Sequence, residues 1–340
     1  MLTRLAGSVA TQSLLGAAAV SVGQRRLARG PKLPGWTSAL EIAVQFLHDR
    51  VAVATSLQPV KEGRAFLDSL AGMMAGFSLV TWWPNANGVS GEWFAPYSAR
   101  RDSLCLYLHG GGYCFYPHFQ RDLIARVAYA LQAKTFAPDY RLAPEDPFPA
   151  QLEDACAAYD WLCEQGSPSR IVLAGDSSGG NLVLSLLLRL RDSGRPLPRL
   201  AVCLSPGTDL TQYQQIADTD ETCDWIDCRL FNQWSAWYTN GNAVDEPLVS
   251  PVHASLRGLP PVYIQAGGAE LLYPRIQAFA ARAHEQGANV VLEIWRHMPH
   301  VFQSFAGLQG EADDALARLG CIADVHMAPG GSARAVARTR

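Results

Sequence analysis

Residues 172–181, VLAGDSSGGN, set two adjacent serines in a glycine-rich turn behind an apolar run. Only one register places glycine two residues before and two residues after a serine: Gly175-Asp176-Ser177-Ser178-Gly179, centred on Ser177. Centring on Ser178 would put Asp176 where the first glycine is needed. This pattern suits a nucleophile of acyl transfer. A tight strand-to-helix turn strains the serine backbone, and side chains at the flanking positions would collide with neighbouring segments. RIVLAG supplies the strand and NLVLSLLLRL the helix. A phosphate-cradling loop also uses glycines, but no lysine follows them here as that loop requires.

A serine hydroxyl needs a base and a stabiliser for the developing oxyanion. YLHGGGYCFY ends an apolar run on Gly110, Gly111 and Gly112, where backbone N–H groups can turn toward a substrate carbonyl without side-chain clashes. The expected oxyanion donors are the amides of Gly110, Gly111 and Ser178. His109 is expected to orient this loop, with Gly112 in a supporting place. Asp176 is too close in sequence to Ser177 to fold back onto a histidine.

His109-Gly110-Gly111-Gly112, the Gly175–Asn181 stretch and Asp139-Tyr140-Arg141-Leu142-Ala143-Pro144-Glu145 resemble the hormone-sensitive lipase family of α/β-hydrolase esterases. FPA at 148–150 and LSPGTDL at 204–210 match its pattern too, so the likeness spans about residues 76–320. The resemblance implies an α/β-hydrolase fold: an eight-stranded, mostly parallel sheet with helices on both faces and a helical cap. The cap would combine residues 1–75 with an insertion at about 211–245, on a catalytic domain of 76–325. A serine carboxylic-ester hydrolase with no cofactor and no metal is implied, acting on a small-molecule ester.

The histidine should follow the last strand, in the chain order Ser…Asp/Glu…His. EIWRHMPHVF offers His297 and His300. The family sets its histidine two residues before a phenylalanine, which selects His300; His297 falls where the family has glycine. After PVYIQAG the family more often shows Asp-Pro-Leu. Here Glu270 takes the Asp position and Pro274-Arg275 replaces a later acidic pair. Glutamate is chemically adequate, since the acid only holds and charge-stabilises the histidine. Asp209 is the fallback acid, although the resemblance gives it a structural role. Asp139, Arg141 and Glu145 are expected to form a buried hydrogen-bonded network bracing the oxyanion loop. An amidase or lactonase would use the same residues. A non-catalytic receptor on this scaffold is disfavoured by the presence of His300, and epoxide hydrolases and dehalogenases would need an Asp in place of Ser177.

The elements that must position these groups are legible as alternation. The strand-like runs are FSLVTWW, EWFAP, SLCLYLHG, AKTFAPDY, RIVLAGD, LAVCLSP, PVYIQAG and NVVLEIW, with helical patterns at 150–164, 181–193 and 275–286. Strands alternating with helices predict a mostly parallel sheet covered on both faces. The first two runs, joined through PNANG, predict an antiparallel pair. Two helices, 38–48 and about 63–74, precede them. Residues 211–258 interrupt the alternation with Trp225, Phe231, Trp234, Trp237 and Tyr238, which suits either a lid over an apolar pocket or ordinary helix packing. The tail from Pro329 has too little apolar content to pack and is expected to be disordered.

Of 340 residues, 49% are hydrophobic and 17% charged, enough for a sizeable core. A net charge of −3 with no Lys/Arg run argues against a nucleic-acid partner. The eight cysteines show no zinc spacing and are read as free, mostly buried thiols; Cys223 and Cys228 are the pair to test for a disulfide if the protein is secreted. Residues 1–24 resemble a signal peptide with a long apolar region, but Arg25, Arg26 and Arg29 fit a cytosolic helix better. Cytoplasmic placement is therefore expected, with export as the alternative. No later run is long enough to span a bilayer, since LVLSLLLRL is short and meets Arg189. Oligomeric state is open, a homodimer being one option.

Overall fold

The apolar runs become strands because they can be buried on both faces. A computed structural model describes residues 2–70, 78–100, 102–213 and 223–327. The runs form β3 (Leu104–Leu108), β4 (Lys134–Pro138), β5 (Ile171–Asp176), β6 (Leu200–Leu204), β7 (Val262–Gly267) and β8 (Val290–Trp295). Every residue of β5, β6 and β7 is buried, as parallel interior strands require. Ahead of them, β1 (Ser78–Ala86) and β2 (Val89–Pro96) pair antiparallel across a turn in which Asn87 and Gly88 both have positive φ. That geometry matches the right-handed twist of a hairpin.

The single sheet has the order β1-β2-β4-β3-β5-β6-β7-β8. β2 runs antiparallel to both neighbours, and the pairs from β4 onward are parallel. The expectation of an α/β-hydrolase sheet is met. Side chains alternate across each strand, so the sheet divides two cores. Leu106, Leu173, Ala201 and Ile264 pack on one side with α5 (Ala150–Gln165), α6 (Ser178–Asp192) and α8 (Tyr273–Glu285). Tyr107, Val172, Val202 and Tyr263 face the other side, toward α4 (Gln120–Leu131) and α9 (Gly310–Met327). α6 is buried along almost its whole length, which its apolar sequence allows on every side.

Before the sheet lie α1 (Leu2–Arg29), α2 (Ser38–Ser56) and α3 (Val60–Ser69); α7 (Cys228–Thr239) lies between β6 and β7. Thr37 caps α2 by accepting the Leu40 amide at 3.1 Å, and buried Glu41 takes Arg25 and Arg26 from α1. α2 runs eight residues past the expected end at 48, because no helix breaker occurs until Gln58-Pro59. α3 starts three residues earlier than expected, directly after Pro59. Residues 71–77, 214–222 and 328–340 lie outside the described residues, and with them the end of the expected 63–74 helix, part of the 211–245 insertion and the tail reading. No described helix is long and apolar enough to cross a membrane. Among the described residues Cys228 carries a free thiol, so the Cys223–Cys228 disulfide weighed from the sequence is not formed.

Candidate active site

Ser177 sits between the last residue of β5 and the first of α6, at φ 53° and ψ −119°. A non-glycine residue is held there only when its surroundings over-determine it. The Ser177 amide donates to Leu204 O at 2.8 Å, while its carbonyl accepts the Asn181 and Gly207 amides at 3.1 Å each. The flanking glycines are required by close approach. A Cβ on Gly175 would lie 2.6 Å from Gly179 O, and one on Gly179 would lie 1.9 Å from Leu108 O.

His300 is fully buried beyond β8, with Nε2 2.8 Å from Ser177 Oγ. Of the two histidines weighed from the sequence, this is the one brought to the serine. His297 instead accepts the Trp36 indole N–H on its backbone carbonyl. Glu270, in the turn after β7, places Oε2 3.7 Å from His300 Nδ1, an electrostatic contact longer than a hydrogen bond. The same oxygen accepts the Ser205 hydroxyl at 2.5 Å and the Gly267 amide at 3.2 Å. Ser205 Oγ also accepts the Val301 amide at 3.1 Å, so one hydroxyl joins the acid loop to the histidine loop. Asp209, the fallback acid, accepts the Thr211 amide and makes no contact with His300 among the described residues.

Burial pushes the carboxyl groups of Glu270, Asp176 and Asp224 up from their ordinary range. For His300, burial alone would favour the neutral ring. The Glu270 carboxylate, then those of Asp224 and Asp176, outweigh it and raise the imidazole above its usual value.

The glycine loop departs from expectation at one donor. The Gly110 N–H is already occupied, donating to Asp176 Oδ1 at 3.0 Å. Gly111 and Gly112 have amides with no hydrogen-bond acceptor among the described residues, and both glycines line the cavity at Ser177. The Ser178 amide is the first of α6, with no carbonyl one helical turn before it. The amides left without an acceptor are thus those of Gly111 and Gly112, not that of Gly110. His109 is stacked between the rings of Tyr116 and Tyr140 at 3.8 and 4.1 Å. Burial lowers its pKa to about 3, so it stays neutral, with Nδ1 2.7 Å from Gly110 O.

The expected buried network of Asp139, Arg141 and Glu145 does not form. All three are exposed and have separate surroundings. Arg141 pairs with Asp154 at 2.8 Å and Glu153 at 3.0 Å on α5, while Glu145 pairs with Arg64 of α3 at 2.6 Å. Charged side chains in this loop turn outward to partners in water, and its apolar members turn in. The brace comes from Tyr140, whose buried hydroxyl donates to His109 O at 2.7 Å. Arg64 adds a second tie through Cys114 O at 2.7 Å.

Ser177 opens on two unequal spaces. A cavity of about 240 Å³ is lined by Leu47 and Val51 of α2, Leu67 of α3, Phe115, Trp225, Trp234 and Phe305. Ser177 also borders a recess of about 30 Å³, lined by Tyr113, Leu210, Ile226, Phe231, Trp234 and Leu272. The aromatic insertion contributes both to cavity walls and to core packing. Trp225, Phe231 and Trp234 line these spaces, while Tyr238 stacks on Tyr113 at 3.6 Å within the core. A third cavity of about 250 Å³, bordered by Arg64, Glu92, Arg121 and Asp139, does not reach Ser177. Among the described residues, no group of three His, Cys, Asp or Glu is arranged to hold a metal ion.

Residues 105–304 match the family model of the alpha/beta hydrolase fold. The chain is 41% identical over 215 residues to an acetyl-hydrolase of Streptomyces hygroscopicus, covering 62% of this chain and 71% of that protein. It is 32% identical over 235 residues to a carboxylesterase of Mycobacterium tuberculosis, covering 64% and 72%. A crystal structure of an esterase from the bacterial hormone-sensitive lipase family superposes with a TM-score of 0.79 at 36% identity, over 86% of this chain and 99% of that one. With the serine turn, the glycine loop and the sheet order in agreement, the chain belongs to the α/β-hydrolase fold family, in its hormone-sensitive lipase branch of carboxylic ester hydrolases.

Proposed function

We propose that this ester hydrolase works through an acyl-enzyme on Ser177, with His300 as base and Glu270 as its acidic partner. The observation that carries the reading is the 2.8 Å contact between Ser177 Oγ and His300 Nε2 on a strained strand-to-helix turn. As Ser177 Oγ bonds to the ester carbonyl carbon, its proton passes to His300 Nε2. The carbonyl oxygen gains the negative charge and is met by the amides of Gly111, Gly112 and Ser178. Glu270 stabilises the imidazolium from the Nδ1 side. His300 then protonates the departing alkoxide, leaving the acyl group on Ser177. A water molecule gives its proton to His300 as it attacks that ester, and the carboxylic acid leaves as Ser177 regains its proton.

The unequal spaces support an assignment of the two halves of the substrate. The leaving alcohol must depart and water must enter, so the alcohol belongs in the 240 Å³ cavity under α2 and α3. The acyl group stays attached through deacylation and fits the 30 Å³ recess, which admits only a short chain. A small acyl group on a bulkier, apolar alcohol is the substrate class, in keeping with the acetyl-hydrolase name of one relative. A cap built from residues 1–75 and the insertion is supported by the same lining residues.

The test is a rate profile over p-nitrophenyl esters of rising acyl length, run beside Ser177→Ala. Acetate and butyrate should be turned over fastest, and the alanine variant should lose roughly a thousandfold or more. An alanine variant near the wild-type rate would sink the mechanism, and a preference for long acyl chains would overturn the substrate assignment.

A further inference from the structure

We propose that Asp224 is a positioning residue for the Ser177–His300 pair, acting from the segment ahead of α7 through backbone amides. This rests on the reading of His300 as the base. Asp224 is 5% exposed, and its carboxylate is fully engaged. Oδ1 accepts the His300 amide at 2.9 Å and its neighbour Trp225's amide at 2.8 Å, while Oδ2 accepts the Leu271 amide at 2.8 Å. Leu271 directly follows Glu270. One side chain therefore ties three places together: the histidine loop, the acid loop and the segment that lines the substrate cavity.

Trp225 closes the arrangement from the other side. Its indole N–H donates to His300 O at 2.6 Å, and its ring centroid lies 5.3 Å from that of the imidazole. Both backbone polar groups of His300 are thus held by two consecutive residues of one segment. This matters because the ring itself is loosely held on the acid side. His300 Nδ1 has no hydrogen-bond partner among the described residues, and Glu270 stands 3.7 Å away. The direction of Nε2 is then set by where the His300 main chain is anchored. Bonds from an ionised carboxylate to amides are among the stronger anchors available.

Three carboxylates bear on the charge of His300: Glu270 from the β7–α8 turn, Asp224 from the segment ahead of α7, and Asp176 from the serine turn. Removing one negative charge while keeping the other two lowers the proton affinity of the ring. A residue that merely supported the fold of this segment would not do that.

Asp224→Asn tests the idea, because it keeps the volume and one acceptor oxygen but removes the charge and turns an amide N–H toward a backbone donor. Measured on p-nitrophenyl acetate beside wild type and Ser177→Ala, folded D224N should lose kcat by roughly tenfold to a hundredfold. Its KM should stay within about twofold, and the acid limb of kcat/KM should move to lower pH. Trp225→Phe keeps a ring but drops the N–H to His300 O. It should lower kcat about threefold or more with the acid limb in place. If D224N is not recovered folded, W225F decides: a kcat loss with an unmoved acid limb supports the anchor, and an unchanged kcat overturns it. A folded D224N with wild-type kcat and acid limb, or with a raised KM alone, overturns it too. Turnover retained by Ser177→Ala would instead remove the reading on which the proposal stands, so the two failures are distinguishable.

Discussion

Gly110 donates its amide N–H to Asp176 Oδ1 at 3.0 Å, and the same oxygen accepts the Tyr107 hydroxyl at 2.8 Å. The residue before Ser177 thereby fastens the first glycine of the triple to the serine turn. Two segments 66 residues apart are locked in register, which leaves the next two glycine amides to face the cavity. Asp176→Ala would orphan two buried donors. An unfolding free energy lower by about 2–6 kcal/mol is expected in urea denaturation, at about 1–3 kcal/mol per unsatisfied group. A loss under about 1 kcal/mol would show that water replaces the carboxylate there.

Gly112→Ala addresses the glycine loop directly. Its φ is 62°, and a Cβ would lie 2.6 Å from the Trp234 ring, so the loop or that ring must shift and the amide is displaced from its present place. Loss of one oxyanion donor costs about a hundredfold or more in kcat. Steady-state kinetics on p-nitrophenyl acetate should show that loss, and a variant within about threefold of wild type would exclude the Gly112 amide as a donor.

The pH dependence has a definite sign. His300 acts as a base only when neutral, and its surrounding carboxylates raise its pKa above 6.5. Activity should therefore fall on acidification through a midpoint above 6.5, in a kcat/KM profile reporting the free enzyme. A midpoint at or below the ordinary imidazole value would contradict the electrostatics. His109, held to about 3, contributes nothing in that range.

The unequal spaces predict separable specificities. Phe231→Ala widens the recess and should raise the hexanoate-to-acetate ratio of kcat/KM about tenfold, one to three kcal/mol being typical of a methylene-scale pocket change. Leu47→Ala, in the wider cavity, should change the preference among alcohols and leave that acyl ratio within about twofold. The reverse pattern would exchange the two assignments.

The serine was legible because its signal is local. Glycine spacing, a preceding apolar run and a following helix lie within a few residues, and backbone sterics act over that same range. His300 and Glu270 were reached through motif position, and the structure sets both beside one another. The brace at Tyr140 is not legible from the motif, whose charged members carry the stronger pattern, because burial selects the phenol only in the folded chain. Ser205 lies within the LSPGTDL motif, but neither its bond to the histidine loop nor the place of Asp224 is legible there, because their partners lie 96 and 76 residues away.

By itself the sequence determined the strand-helix alternation, the antiparallel start of the sheet and which serine stands at the centre of the glycine turn. These follow from periodicity and from turn sterics, which neighbouring residues specify. Only the tertiary structure decided which glycine amides are free, which carboxylates surround His300, and how unequal the spaces beside Ser177 are. Each of those depends on where distant segments meet, and a buried hydrogen bond or a cavity wall exists only once they do.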